Sequence, residues 1–121
     1  MIVFPLGETG KKGDVFILVD GTGSNGTAGK LHKDNKGASY YSGRRFVLGE
    51  AGNSGDNVKC TPCNNAMTKI GIPSGGSRGN QLYVDQDEGS IELSKPTTAV
   101  AVGNIVTDEY AIMSASNSTE S

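Results

Sequence analysis

The chain predicts an all-β fold, a small β-sandwich or barrel of short strands joined by Gly-rich loops. Three observations carry that expectation. No stretch of ten or more residues sets apolar side chains at i, i+3, i+4 and i+7, the stripe that an amphipathic helix needs. The apolar runs are short and bounded by turn residues, as in Gly13-Asp14-Val15-Phe16-Ile17-Leu18-Val19-Asp20-Gly21. Glycine supplies 18 of the 121 residues and hydrophobic residues only 35%, so the core is thin and the connections are turn-rich.

Residues 1–12 read as an extended N-terminal arm and a polar turn, because Pro5 blocks a helix and biases Phe4 toward extended backbone. A single β domain follows over 13–113. Its first strand is Val15–Val19, a continuous apolar run with no polar face, hence buried on both sides. Residues 20–29 are a polar, Gly-rich loop. Short strands are expected at 31–34, before the Asn35-Lys36-Gly37 turn, and at Ser39-Tyr40-Tyr41, then a firm one at Arg45-Phe46-Val47-Leu48. After a turn at 49–55, residues 56–60 alternate as a strand does. A corner at 60–65 separates them from 67–72. The best helix candidate, 64–69, is too short to stand. Beyond a loop at 73–79, Leu82-Tyr83-Val84, the Asp85–Gly89 turn and Ile91-Glu92-Leu93 have the form of a β-hairpin. Ala99-Val100-Ala101-Val102 and Tyr110-Ala111-Ile112-Met113 close the domain, and 114–121 form a polar, flexible C-terminal tail.

The chain also resembles itself. Pro5-Leu6-Gly7 precedes Gly13-Asp14, and Pro73-Ser74-Gly75 precedes Gly79-Asn80; each pair leads into an apolar run that ends in Val-Asp. Leu48-Gly49 before Gly55-Asp56 is matched by Val102-Gly103 before Asp108-Glu109. This points to two half-repeats, 13–60 and 79–113, against the alternative that Gly-Asp turns in β proteins look alike by chance.

Candidate chemistry is sparse. Cys60-Thr61-Pro62-Cys63 has the C-x-x-C spacing of redox pairs, but that chemistry wants a βαβ setting and a helix N-terminus, which the pattern lacks. A structural zinc site needs four ligands, and two Cys and one His are too few within one chain. Structural thiols are the expectation, with a disulfide as the alternative. His32, in Lys30-Leu31-His32-Lys33-Asp34, reads as a solvated surface histidine. Gly21-Thr22-Gly23-Ser24-Asn25-Gly26 matches G-x-G-x-x-G, yet no helix pattern follows to face a phosphate. Asp85-Gln86-Asp87-Glu88-Gly89 resembles the start of a calcium loop, but its Gly falls one place early, and turn chemistry accounts for these residues. Asn25-Gly26-Thr27 and Asn117-Ser118-Thr119 match the glycosylation sequon by chance in an Asn/Ser/Thr-rich chain. No catalytic, metal or cofactor residues are assigned, and no enzyme activity is expected.

A net charge of −2, with basic residues scattered, makes no case for nucleic acid. No apolar run nears the ~20 residues of a membrane span. Met1-Ile2-Val3-Phe4-Pro5-Leu6 is apolar but short for a signal peptide and lacks a basic leader. The expectation is a soluble, unexported chain.

The units Gly79-Asn80-Gln81-Leu82-Tyr83-Val84-Asp85, then Gly89, Ala101-Val102-Gly103 and a closing strand at 110–113, preceded by Leu48-Gly49-Glu50 through Gly55-Asp56-Asn57-Val58, resemble the small β-rich capsid decoration, or cement, proteins of tailed bacteriophages. The resemblance covers roughly residues 13–113 and rests on glycines, Asp turns and apolar runs. Asn80 stands where Asp is usual, and the CTPC corner and the insertion at 22–29 depart from the pattern. It implies a protein made in the host cytoplasm and carried on the outer surface of the virion, where it binds the major capsid protein of the assembled head and stabilises contacts between its subunits, as a homotrimer. The alternative is another virion structural domain, at the tail or spike base. Within this reading Ile2, Val3, Phe4, Pro5 and Leu6 are the expected capsid contacts. Their competing role is an edge strand of the domain's own sheet.

Overall fold

The computed structural model describes residues 2–19, 29–33, 41–94 and 99–114, with backbone only at 41–43 and 99. Residues 20–28 of the expected 20–29 loop, Asp34 at the end of the expected 31–34 strand, the Asn35-Lys36-Gly37 turn, Ser39, Tyr40, both sequons, the G-x-G-x-x-G stretch and the C-terminal tail after Ser114 lie outside the described residues. The fold is all-β, as the patterning predicts. Its strands are β1 (Ile2–Pro5), β2 (Val15–Val19), β3 (Leu31–His32), β4 (Tyr41–Leu48), β5 (Asn57–Pro62), β6 (Ala66–Lys69), β7 (Gln81–Asp85), β8 (Ile91–Glu92), β9 (Ala99–Ile105) and β10 (Tyr110–Met113).

They form two antiparallel sheets of five strands, ordered β1-β5-β4-β2-β3 and β6-β10-β9-β7-β8. The second order is the first with every strand moved five places along the chain. The hydrogen bonds at the strand ends repeat as well. Leu6 N–H donates to the Asp56 carbonyl, and Ile70 N–H to that of Glu109. Gly13 N–H donates to Leu48 and Leu48 N–H to Asp14, while Gly79 N–H donates to Ile105 and Ile105 N–H to Asn80. The repeated strand order runs from β1 to β5 and from β6 to β10.

The Gly-Asp and Gly-Asn pairs explain this likeness locally. Lys11-Lys12-Gly13-Asp14 and Ser77-Arg78-Gly79-Asn80 make the same tight turn, with Gly13 at φ 91° and Gly79 at φ 90°, a region that costs other residues strain. The Asp14 carboxylate accepts from Lys11 N–H at 2.9 Å, and the Asn80 side-chain oxygen accepts from Ser77 N–H at 2.9 Å. Asn53-Ser54-Gly55-Asp56 makes it a third time, Asp56 accepting from Asn53 N–H at 2.8 Å.

In the first sheet β1 is paired along its length with β5, Ile2 opposite Cys60 through Pro5 opposite Asn57. The N-terminal segment is therefore a strand of the domain rather than a free arm. Just beyond it, Leu6 bridges Leu31 of β3, and Gly7 N–H donates to the Leu31 carbonyl at 2.8 Å. The two edges of the sheet meet there and the sheet curls shut. Leu6, Phe16, Leu31, Phe46, Leu48, Val58 and Cys60 fill it, with Phe4 and Leu18 packed at the margin.

β2 shows no polar face, as its unbroken apolar run predicts: Phe16 points into the closed core, and Val15 points the other way. Val15, Val47 and Cys63 meet Ile70, Leu82, Val84, Val102, Ile105, Ala111 and Met113 of the second unit. That shared core joins the units. The Asp85–Gly89 turn ties them again, since Val15 N–H donates to the Gly89 carbonyl at 2.8 Å. The expected corner at 60–65 begins later, because β5 runs on through Thr61 and Pro62, and the turn is made by Cys63, Asn64 and Asn65, the last at φ 60°.

Candidate interaction surface

The residues with chemical potential are dispersed and embedded. Cys60 and Cys63 are both reduced and buried. Three residues apart on extended backbone, they point to opposite faces, Cys60 into the closed core and Cys63 into the shared core. Burial pushes the Cys60 thiol up to about 11 and that of Cys63 to about 12, the latter against the opposing pull of Arg45. A thiol so placed is not the thiolate nucleophile that redox chemistry uses.

His32 departs from expectation. It is 4% exposed, not solvated. Its Nδ1 lies 3.1 Å from Glu8 Oε2, which also accepts from Lys33 N–H at 2.8 Å. The cause is sheet closure: once Leu6 and Leu31 meet, Gly7 and Glu8 lie over β3. A β-carbon on Gly7 would land on the His32 ring. The alternation of 30–34 holds no trace of that long-range contact.

Asp85 Oδ1 accepts from Asp87 N–H at 2.9 Å and Glu88 N–H at 3.1 Å, and Gly89 sits at φ 83°, the turn chemistry that the sequence indicates. Between this turn and the first unit lies a polar hollow of about 220 Å³ lined by Thr9, Lys11, Asp14, Lys33, Glu88 and Ser90. Burial raises the Asp14 carboxyl above its ordinary value, opposed by the Lys11 amide and by the charges of Lys11 and Lys33. Two cations face two carboxylates, so the hollow has no net bias toward an ion of either sign. Among the described residues no group of three or more His, Cys, Asp or Glu is placed to hold a metal ion.

What the surface does offer is apolar. Among the described residues the exposed large hydrophobic ones are Ile2 (40%), Val3 (58%), Met67 (54%), Tyr110 (36%) and Ile112 (43%). Ile112 stands directly opposite Met67 in the β6–β10 register, and Tyr110 is two residues along β10, on the same face. The outer face of the second sheet thus carries a contiguous apolar cluster, with Asn104 of β9 next to Ile112 at its border. The N-terminal segment divides. Ile2 and Val3 are exposed, Pro5 is half-buried, and Phe4 packs edge-on against Phe46 at 5.2 Å between ring centres. Leu6 has no exposed surface and belongs to the core.

A second feature is a groove of about 800 Å³ between β6 and the flank of the first sheet, lined by Lys12, Val47, Thr61, Met67, Lys69 and Ile70 among others. Sequence reasoning missed Met67, Tyr110 and Ile112. Tyr110-Ala111-Ile112-Met113 is apolar at every position and Ala66-Met67-Thr68-Lys69 has no clean alternation, so the residue pattern does not say which face meets the core.

No protein-family model matches the chain, and neither does any curated protein.

Proposed function

We propose that the protein is a non-enzymatic capsid decoration protein, which binds the outside of an assembled phage head and holds neighbouring major capsid subunits together. The observation that carries this reading is where the apolar surface lies: Ile2 and Val3 on β1, and Met67, Tyr110 and Ile112 across β6 and β10. Exposed clusters of this kind suit contact with other proteins. The titratable groups that catalysis would call on are instead committed to the interior: His32 with Glu8, and the two thiols in separate cores. A small two-sheet body with outward apolar faces suits a clamp. Repetition over a lattice lets a weak contact hold, since each anchored copy raises the effective concentration of the next contact. Assembly as a homotrimer adds to this, several capsid subunits then being held by one particle.

The test is binding of purified protein to undecorated heads, imaged by cryo-microscopy. Density at local three-fold positions, and raised resistance of the heads to heat, are expected. Val3→Asp combined with Ile112→Asp, both at exposed positions, weakens binding at least tenfold (about 1.4 kcal/mol) in a folded protein. A defined oligomer with no affinity for heads overturns the reading in favour of a tail or spike-base role.

A further inference from the structure

We propose that the groove beside β6 binds an extended, carboxylate-bearing segment of a partner protein as an added β-strand. Among the described residues β6 is an edge of its sheet, hydrogen-bonded to β10 on one side only. The Ile70 N–H bond to Glu109 sets the alternation, so that Ala66, Thr68 and Ile70 turn their backbone groups to β10 while Met67 and Lys69 turn theirs outward. No backbone bond outside the strand ladders takes up the Met67 or Lys69 N–H among the described residues. Unsatisfied edge groups of this kind are what an incoming strand pairs with.

The groove supplies the rest of a strand site. Met67 to Gly71 form one wall as a continuous run, and Val47, Leu48, Gly49 and Thr61 of the first sheet form the other. An added strand would place alternate side chains on Val47 and Ile70 and the others toward solvent, past Met67. Charge selects the occupant. The lining residues include two cations, Lys12 and Lys69, and no carboxylate, and neither lysine forms an ion pair among the described residues. A second copy joined edge to edge would bring a groove of the same positive charge against this one, whereas a segment alternating apolar and acidic residues satisfies both walls. The inference does not need the partner to be a capsid subunit, and its test involves no heads.

The probes are two synthetic hexapeptides, one alternating Glu and Val and one alternating Lys and Val, titrated into the full chain. Amide exchange is followed by NMR. The acidic peptide is expected to slow exchange at the Met67 and Lys69 amides and to bind about tenfold more tightly than the basic one, the size of two partly screened ion pairs. Met67→Pro removes an outward N–H, a change that edge strands tolerate, and abolishes binding with an unchanged urea midpoint. Lys69→Glu leaves one cation against one carboxylate in the lining, so it is expected to erase the preference between the two peptides in a folded protein, and carries the test if Met67→Pro does not fold. Unaltered exchange at both amides, or equal affinity for the two peptides, overturns the proposal. So does protection of Met67 and Lys69 that rises with protein concentration alone, which would mark a second copy as the occupant.

Discussion

The two sheets share one strand order and differ at one seam. In the first, β3 sends Leu31 across to Leu6, and His32 packs over Gly7 with Glu8 holding its ring. In the second, β8 sets Ile91 and Glu92 opposite Val84 and Tyr83, where β3 sets Leu31 and His32 opposite Leu18 and Ile17. There Glu92 takes up the Ser90 hydroxyl instead, and no described backbone bridge joins β8 to the end of β6. The space above Gly71, the counterpart of Gly7, is empty. The closed unit therefore has a core of its own. The open unit completes its core with Val15, Val47 and Cys63 from its neighbour, and keeps a free edge and an apolar outer face. Strand order alone does not decide closure. The side chains at the seam do, and the unit left open is the one with surface to offer a partner.

The seam is most directly broken by truncating the residue that crosses it. Leu6 and Ile70 make equivalent backbone bonds, but Leu6 is wholly buried and Ile70 is 8% exposed, at the edge of the groove. Leu6→Ala is expected to cost about 3–4 kcal/mol in urea unfolding, as a cavity in a sealed core does, and Ile70→Ala about 2 kcal/mol. Equal losses would mean that the closed unit is no better packed than the open one.

A smaller effect separates the paired glycines. Gly7→Ala must push the His32 ring off its Glu8 contact, and is expected to cost about 2 kcal/mol through overpacking. Gly71→Ala meets nothing and should change stability by less than about 0.5 kcal/mol. Thermal unfolding of the two variants side by side checks the contrast, and a costly Gly71→Ala would show that the second seam is filled after all.

The smallest contrast is electrostatic and comes from the repeated turn. Asp14 and Asn80 accept the same backbone bond, but only Asp14 carries a charge, and burial raises its pKa. With the folded value above the unfolded one, the favourable share is present when the carboxyl is protonated and is lost as pH rises through the folded value. Asp14→Asn keeps the acceptor and removes that loss. Urea unfolding is expected to show a gain of less than about 1 kcal/mol at pH 7 and none at pH 3. A loss at pH 7 would show that the hollow's lysines favour the charged form more than burial opposes it.

Much of this fold was legible in the chain because it is local. Val15 to Val19 could only be a strand with two buried faces, and Gly13-Asp14, Gly55-Asp56 and Gly79-Asn80 could only be turns, since the left-handed glycine and the short polar acceptor are set by neighbouring residues. The all-β class and the β7–β8 hairpin follow from the same short-range rules. Contacts between residues far apart in the chain were not legible. Nothing near Lys30-Leu31-His32 announces that Gly7 and Glu8 will cover it, so a buried histidine read as a surface one. Nothing in Ile2 to Leu6 separates two exposed residues from one sealed in the core until β5 and β3 are in place. Which face of β6 and β10 looks outward, and which edge stays unpaired, is likewise settled only when the sheets pack, because β10 is apolar on both faces and burial chooses between them.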